Sequence, residues 1–253
     1  MTTTTTYNGG APVRALILAA GRGSRMGSLT AEQPKCLTPI DGRRLLDRQL
    51  DALRGAGITE LGLIKGYQGH LLPAEGLTHF ENPRWASTQM VATLRCAAPW
   101  LASAPCIVSY SDILYGSEVI TALAAAPGGL AISSHTGWRD IWSARFADPL
   151  SDAETFRRAD DGRLLEIGGR ATSLDQIEGQ YMGLLRFTPA AWADVEALLN
   201  TLPPERQDRI DMTSLLNALL GAGVRIETVP VGGQWWEFDS EEDVRAFERL
   251  AVR

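Results

Sequence analysis

The sequence predicts an α/β fold: a single Rossmann-like, mostly parallel (mixed) sheet flanked by helices and carrying an inserted antiparallel element. The first observation behind this prediction is that short β-type runs alternate with helical patterns of ten or more residues. The four clearest runs are residues 15–19, 60–64, 106–110 and 129–133. Because a crossover between parallel strands needs a connection of helix length, such alternation is typical of a parallel sheet covered by helices.

The second observation is helical spacing together with start and stop signals. Leucines at positions 45, 46, 50 and 53 share one helical face and are followed by glycines, and the same spacing predicts a second helix from Met90. Near the end of the chain, Thr188 before a proline and Ser240 three residues before Asp243 are typical helix starts. These signals place helices between and after the predicted strands.

The third observation is a change of pattern past residue 150. The dipeptide Asp161-Gly162 lies between two apolar segments as a hairpin signal, and residues 181–187 form a further predicted strand. This part is expected to be the antiparallel insertion. Because no linker or internal repeat divides the chain, we predict one domain over residues 13–253, preceded by a disordered, Thr-rich tail over residues 1–12.

Composition narrows the class of protein. The chain has 253 residues, is 45% hydrophobic and 21% charged, and has a formal net charge of −6, which argues against a nucleic acid as partner. No run approaches the roughly 20 apolar residues of a membrane span, and the start resembles no secretory signal. The three cysteines lack CxxC spacing, so neither a disulfide framework nor a zinc site is indicated and a cytoplasmic location is expected.

The most informative segment is a loop rich in glycine and arginine directly after the first predicted strand. It reads LAAGRGSRMG over residues 18–27, and Pro34-Lys35 follows. Small residues let backbone N–H groups wrap an anion, and the arginines and the lysine add positive charge, so the loop is predicted to bind phosphates. Its glycine spacing matches neither a Walker loop nor the dinucleotide fingerprint. The alternative is a flexible glycine turn with solvated arginines.

This loop, with Pro34-Lys35, resembles the signature of the nucleotidyltransferases that share a fold with sugar-phosphate pyrophosphorylases. The later segments FADPLSDAE (146–154), IEGQYMGL (177–184) and WEFD (236–239) resemble the branch of phosphocholine and phosphonate cytidylyltransferases. The resemblance covers nearly the whole chain. It implies a Mg²⁺-dependent transfer of CMP from CTP to the phosphate or phosphonate oxygen of a small acceptor, with release of pyrophosphate.

The resemblance also implies roles for individual residues around the triphosphate. Arg25 would face the departing pyrophosphate and Lys35 the α-phosphate, so these two are the predicted catalytic residues. The expected nucleotide contacts are Leu18, Ala19, Ala20, Gly21, Arg22, Gly23, Gly66, Tyr67, Gln89, Met90 and Ser111. The amide of Gln89 could read a pyrimidine edge or be solvated on a helix, and related cytidylyltransferases commonly carry Asn in this region, which leaves the base open.

Carboxylates that follow predicted strands are the candidate ligands of Mg²⁺. Asp112 follows the run 107–111, and Asp239 ends the segment 236–239. Carboxylate oxygens suit Mg²⁺, and open α/β sheets place ligand groups at the carboxyl ends of strands. Glu237 shares a strand face with Asp239 by period two and is the third candidate. The alternative for the two aspartates is a helix or turn cap.

Tryptophans beside carboxylates indicate the acceptor site. By resemblance, the residues that would line it are Trp138, Arg139, Glu178, Tyr181 and Trp236. Aromatic faces next to carboxylates would suit a cationic amine, whereas Arg139 would suit an acidic acceptor. Core packing is the alternative for most of these tryptophans.

The expected partners are therefore CTP and a small phosphate- or phosphonate-bearing acceptor, with neither nucleic acid nor membrane. A sugar-1-phosphate nucleotidyltransferase stays open as an alternative, and so does a nucleotide-binding regulator that has lost catalysis. The presence of acidic residues at both Asp112 and Asp239 favours an enzyme. The oligomeric state stays open, a homodimer included.

Overall fold

The computed structural model describes residues 4–6 and 10–251. The strands are β1 (Arg14–Ala19), β2 (Pro39–Ile40), β3 (Arg43–Arg44), β4 (Glu60–Lys65), β5 (Thr78–Glu81), β6 (Cys106–Tyr110), β7 (Ile113–Tyr115), β8 (Leu130–His135), β9 (Glu154–Arg158), β10 (Leu164–Arg170), β11 (Gln180–Phe187), β12 (Ile226–Val231) and β13 (Trp235–Glu237). The helices are α1 (Leu45–Gly55), α2 (Met90–Arg95), α3 (Ala98–Leu101), α4 (Ser117–Ala125), α5 (Trp138–Arg145), α6 (Pro189–Leu199), α7 (Pro204–Arg209), α8 (Met212–Gly221) and α9 (Glu241–Ala251). Within the described ranges, none of these helices has the length and apolar character needed to cross a membrane.

A seven-stranded mixed sheet forms the centre of the molecule, in the order β12-β8-β11-β6-β1-β4-β5. The pairs β1–β4, β1–β6, β4–β5 and β8–β12 are parallel. Strand β11 runs antiparallel to both of its neighbours, β6 and β8. The predicted fold class, a mostly parallel but mixed sheet, is confirmed. In the middle of the sheet Leu18 pairs with Tyr110, so β1 and β6 end side by side.

Strand β1 is buried on both faces, as a central strand of a largely parallel sheet should be. Ile17 packs into the core beneath α1 and α4, whereas Leu16 and Leu18 pack into the core beneath α2, α6 and α8. A third cluster, which includes Met26 and Phe238, joins the 3-10 turn after β1 to β13 and α9. The residues after β1 and after β13 are therefore tied to one another by apolar packing.

The predicted insertion is found as the antiparallel hairpin of β9 and β10, with Gly162 in its turn at φ 84°. Both predicted helix starts are also present. The Thr188 hydroxyl accepts from Ala191 N at 3.3 Å, and the Ser240 hydroxyl accepts from Asp243 N at 3.2 Å. Between these two helices the structure also contains α7, which was not predicted from the sequence.

The predicted disordered tail lies partly outside the described residues, which omit 1–3 and 7–9. The described part is paired with the folded domain. Thr5 N donates to Gly57 O at 3.0 Å, and Thr6 forms an isolated bridge with Pro12. Backbone hydrogen bonds thus hold Thr5 against the turn after α1 and Thr6 next to Pro12, and the disorder of the tail stays a prediction.

Candidate active site

The loop that follows β1, residues 20–23, lies at the carboxyl edge of the central sheet. A Cβ at Gly21 would have no neighbour within 4 Å, whereas a Cβ at Gly23 would come 2.9 Å from Lys35 Cδ. Gly23 also has φ 64°, a conformation that favours glycine. The Thr30 hydroxyl donates to Gly23 O at 2.9 Å. The loop is thus held closely over the Lys35 side chain, and it is called the phosphate loop below.

The centre of the site is a triad of charges around Lys35. Its Nζ lies 2.8 Å from Asp112 Oδ2 and 2.7 Å from Asp239 Oδ1, and the side chain is 8% exposed. Burial alone would lower the pKa of Lys35, but the two carboxylates outweigh it and raise that pKa. Burial likewise opposes ionisation of Asp239, and Lys35 outweighs it, so the pKa of Asp239 is lowered. Lys35 and Asp239 are therefore both charged at neutral pH.

Asp112 is positioned by backbone hydrogen bonds on both sides of it. It lies in the short turn between β6 and β7, and the fully buried Gln49 spans that turn from α1. Gln49 Nε2 donates to Tyr110 O at 2.8 Å and to Ile113 O at 2.7 Å. Phe238 N donates to Asp112 O at 2.9 Å. This last bond brings the end of β13 next to the end of β6.

Asp239 is positioned by a buried network that starts at Arg145. Asp243 Oδ2 accepts from the backbone N–H groups of Asp239 and Ser240, each at 2.9 Å. The other oxygen of Asp243 accepts from Arg145 Nε at 2.8 Å, and Arg145 also bonds Glu237 at 2.9 Å. The Arg145 side chain is only 1% exposed. Burial, with the nearby charge of Asp239, raises the pKa of Glu237 to about 7.

Asp112 and Asp239 fit the requirements of a Mg²⁺ site. Asp112 Oδ1 is buried and has no hydrogen-bond partner within the described chain. Mg²⁺ in proteins commonly takes one or two carboxylates and completes its shell with water and substrate phosphates. Over the described ranges, no group of three or more His, Cys, Asp or Glu residues could hold a metal ion. Glu237 is paired with Arg145, so the structure offers two carboxylates here and not the predicted three.

These groups line one end of a cleft of about 220 Å³, called the main cleft below. Its lining residues are Leu18, Ala20, Gly21, Gly23, Arg25, Lys35, Trp85, Thr88, Gln89, Met90, Thr93, Tyr110, Ser111, Asp112 and Asp239. The structure thus brings together most of the predicted nucleotide contacts, both predicted catalytic residues and two of the predicted ligands. It adds Trp85, Thr88, Thr93 and Tyr110. The spacing of Thr93 three residues after Met90, on one helical face, was the signal that could have found it.

Four of the predicted nucleotide contacts, Ala19, Arg22, Gly66 and Tyr67, are not among the residues that line the main cleft. Ala19 is 2% exposed at the end of β1. The Arg22 guanidinium stacks 5.6 Å from the Tyr67 ring centroid. A Cβ at Gly66 would come 2.7 Å from both Ala20 O and Trp85 Cβ. Ala19 and Gly66 are closely packed beside the loop and Arg22 lies over Tyr67, so direct nucleotide contact by these four residues stays a prediction.

A second cavity of about 240 Å³, called the side pocket below, adjoins the main cleft. It is lined by Arg25, Tyr110, Trp142, Asp152, Glu154, Gln180, Tyr181, Gly183, Thr213, Glu237 and Asp239. The Trp142 indole donates to Asp152 Oδ2 at 3.1 Å. No ion pair neutralises Asp152 or Glu154 within the part of the chain described, and burial raises the pKa of Glu154. The side pocket therefore combines uncompensated carboxylates with aromatic rings.

The two predicted acceptor-site tryptophans are core residues. Trp138 is 2% exposed and packs edge to face against Trp142, with ring centroids 6.2 Å apart. Trp236 is 4% exposed, and its indole donates to Asp243 O at 3.1 Å. Both therefore support the wall from behind, and Trp142 is the tryptophan that lines the side pocket.

Of the other predicted acceptor residues, only Tyr181 lines the side pocket. Arg139 lies on the outer side of α5 and donates to Leu174 O at 3.2 Å. The Glu178 carboxylate accepts from Arg158 N at 2.9 Å, on the β9 hairpin. Neither Arg139 nor Glu178 lines the side pocket, so acceptor binding by these two residues stays a prediction.

The chain is similar in sequence and in fold to known proteins. Residues 15–194 match the family described as the MobA-like NTP transferase domain. CTP:phosphoglutamine cytidylyltransferase of Campylobacter jejuni is 34% identical, over 92% of this chain and 98% of that protein. CMP-5'-(3-aminopropyl)phosphonate synthase of Streptomyces rubellomurinus is 32% identical, over 51% of this chain and 22% of that protein. The inositol-1-phosphate CTP transferase from T. maritima has the same fold, with a TM-score of 0.76 at 19% identity over 95% of this chain and 97% of that one.

Proposed function

The chain belongs to the MobA-like NTP transferase family and is a nucleotidyltransferase, and from that premise we propose that it transfers CMP from CTP to a small acceptor, releasing pyrophosphate. The attacking atom is a phosphate or phosphonate oxygen of the acceptor. The observation that carries the proposal is the triad of Lys35, Asp112 and Asp239 beneath the phosphate loop. CTP is favoured because the relatives described above are named for reactions of CTP or for a CMP product.

The reaction requires that the two reactants be positioned next to each other and that their negative charge be offset. A bond forms between the acceptor oxygen and the α-phosphorus, the bond from that phosphorus to the bridging oxygen breaks, and the electron pair leaves with pyrophosphate. Since both reactants are anions, the site must hold them together and offset the charge that builds up. The backbone N–H groups of residues 20–23 and the exposed Arg25, which pairs with Asp239 at 3.2 Å, would bind the leaving phosphates. Lys35 would face the α-phosphate.

We propose that Asp112 and Asp239 hold Mg²⁺ in this enzyme. When bound, the ion would supply further positive charge at the phosphates. The chain's own contribution is rigidity: Gln49 fixes the turn of Asp112, and Asp243 fixes the turn of Asp239. Arg145 pairs with Glu237 at 2.9 Å.

The side pocket is proposed to bind the acceptor, with a positively charged amine next to Asp152 and Glu154. It shares Arg25 and Asp239 with the main cleft, so an acceptor held there would be next to the triphosphate. Its uncompensated carboxylates and the ring of Trp142 favour a cation. An amine is also part of the aminopropylphosphonate named for the S. rubellomurinus relative.

The test is an assay of pyrophosphate release with each of the four NTPs and a panel of acceptors. The panel contains phosphoglutamine, phosphocholine, aminoalkylphosphonates, alkylphosphonates without an amine, and sugar 1-phosphates. We expect release with CTP and an amine-bearing phosphate or phosphonate in the presence of Mg²⁺. Release with sugar 1-phosphates alone would favour the alternative function, a sugar-1-phosphate nucleotidyltransferase. No release with any pair of NTP and acceptor would refute catalysis.

Glu154→Gln is expected to raise the KM for an amine-bearing acceptor about tenfold and to leave the KM for CTP unchanged. The reason is that a charge-assisted contact is replaced by a weaker neutral one. The matched control is Glu166→Gln, on the partner strand of the same hairpin and outside both cavities. An equal rise in KM for an alkylphosphonate without an amine would contradict the assignment.

Gly23→Ala is expected to raise the KM for CTP at least tenfold. The new Cβ would lie 2.9 Å from Lys35 Cδ and would push the phosphate loop away from the charge triad. Gly42→Ala is the matched control, because Gly42 has a similar φ of 71° but open space around it. Both variants should lose about 1 to 3 kcal/mol of unfolding free energy through backbone strain. Equal KM values for the two variants would show that contact with Lys35 is unimportant.

A further inference from the structure

Two threonine hydroxyls line the part of the main cleft formed by the start of α2. Thr88 precedes that helix and Thr93 lies in its first turn, and both line the cleft. Behind them lies Asn82, which is 3% exposed and directly follows β5. Asn82 Nδ2 donates to Thr88 Oγ1 at 3.0 Å and to Thr93 Oγ1 at 2.9 Å. One buried amide therefore holds both hydroxyls.

The orientation of the Asn82 amide is fixed by a hydrogen bond to its oxygen. Asn82 Oδ1 accepts from Arg84 N at 3.0 Å. A flipped amide would set its NH₂ group against that backbone N–H, and a buried donor facing a donor is costly. The NH₂ group of Asn82 therefore faces the two threonines.

The protons of both hydroxyls are also committed. Thr88 Oγ1 donates to Arg84 O at 2.9 Å, and Thr93 Oγ1 donates to Gln89 O at 3.4 Å. A hydroxyl has one proton and two acceptor lone pairs, and in each threonine the proton and one lone pair are in use. What each hydroxyl can still offer to the cleft is one acceptor position.

We propose that Thr88 and Thr93 select cytosine over uracil by accepting hydrogen bonds from the 4-amino group of the base. This inference rests on the proposed function and names the residues that choose its nucleotide. Cytosine carries an NH₂ donor at position 4, whereas uracil carries a carbonyl acceptor there. Two adjacent acceptors match the two protons of an amino group and oppose a carbonyl oxygen. The charge triad and the two threonines line the same cleft, so the phosphates are assigned to the triad and the base to the threonines.

The experiment measures equilibrium binding of CTP and of UTP by calorimetry, so that it does not depend on turnover. The variants are Thr88→Val, Thr93→Val and the double variant, since valine keeps the shape of threonine and removes the hydroxyl. Each single variant is expected to lower the ratio of the two dissociation constants, UTP over CTP, about three- to tenfold, the value of one neutral hydrogen bond. Thr93→Ser keeps the hydroxyl and should keep the ratio.

The matched control is Thr121→Val on α4, where the hydroxyl makes the same bond to a carbonyl four residues earlier, Ser117 O at 3.0 Å. It should leave the ratio unchanged. Partial unfolding of a variant would weaken the binding of CTP and of UTP by the same factor. It would therefore leave the ratio of the two dissociation constants unchanged. An unchanged ratio in both valine variants of the cleft, or equal weakening of CTP and UTP, would overturn the inference. If CTP binds with the expected selectivity but no acceptor yields pyrophosphate, the proposed function fails and the inference stands.

Discussion

Asp112→Asn is expected to slow pyrophosphate release about a hundred- to a thousandfold while the protein stays folded. Asparagine keeps the shape of the side chain but removes the negative charge, and loss of one preorganised electrostatic group commonly has an effect of this size. The fold should survive because the bonds that fix this turn run to backbone atoms, from Gln49 to Tyr110 O and Ile113 O. Steady-state assays and thermal unfolding of the same preparation check both parts.

The control for this variant is Asp51→Asn, an exposed aspartate on α1 that pairs with Arg43 at the surface. It should be as active as the wild type. A second readout is calorimetric titration with Mg²⁺ and no nucleotide, in which Asp112→Asn should bind the ion more weakly. Turnover at the wild-type rate in Asp112→Asn would refute the role assigned to this carboxylate.

Lys35→Met is expected to lose both activity and stability. Without the ammonium, Asp112 and Asp239 would repel each other across a largely buried space, and Asp239 alone would keep a cationic partner, Arg25 at 3.2 Å. Breaking a buried pair by removing one member typically costs 3 to 5 kcal/mol, and we expect about 3 kcal/mol here because Asp112 and Asp239 are 22% and 18% exposed. Turnover should fall at least a hundredfold. Urea denaturation and the pyrophosphate assay measure the two effects.

A double variant separates repulsion from other causes of that instability. Lys35→Met combined with Asp112→Asn removes one of the two opposed charges, so it should be more stable than Lys35→Met alone and just as inactive. This non-additivity is expected because the two side chains are in direct contact. If Lys35→Met is as stable as the wild type, the lysine is not the group that holds the two carboxylates together.

The fold could be predicted from the sequence because its strand, helix and loop signals all indicate the same architecture. The runs at 15–19 and 106–110 are apolar throughout, as strands buried on both faces are, and they became the paired centre of the sheet. The glycine loop and Lys35 are close in sequence, so local spacing sufficed to bring them together. Asp112 was found because it directly follows a buried strand.

The residues that position the site were harder to predict because their partners are distant in sequence. Gln49 interrupts the leucine face of α1, and a polar residue on such a face was a signal that its side chain has a buried partner. Arg145 gave no comparable signal, since an arginine near a helix end is ordinarily solvated. Only the three-dimensional structure shows that it bridges Glu237 and Asp243.

The residues that line the side pocket were hard to predict because neighbours in sequence need not share a face. Trp235 and Trp236 are consecutive in β13, so they point to opposite sides: Trp235 stacks on Trp142 at 5.6 Å, and Trp236 packs against Phe247 at 5.8 Å. The carboxylates of the side pocket, Asp152 and Glu154, lay in a segment matched by resemblance but were not assigned a role there. Their position at the side pocket depends on how the hairpin of β9 and β10 packs in the folded chain.

The two partners of Lys35 are 77 and 204 residues further along the chain. During synthesis on a ribosome, the phosphate loop and its lysine therefore emerge early, and the second carboxylate emerges long after the central strands. A growing chain can pair Lys35 with Asp112 but must wait for residue 239 to balance the charge triad. Closing so long a loop follows collapse of the core, so completion of the charge triad is a late step of folding. Incomplete chains on the ribosome therefore pass through a stage that has the phosphate loop but no finished site.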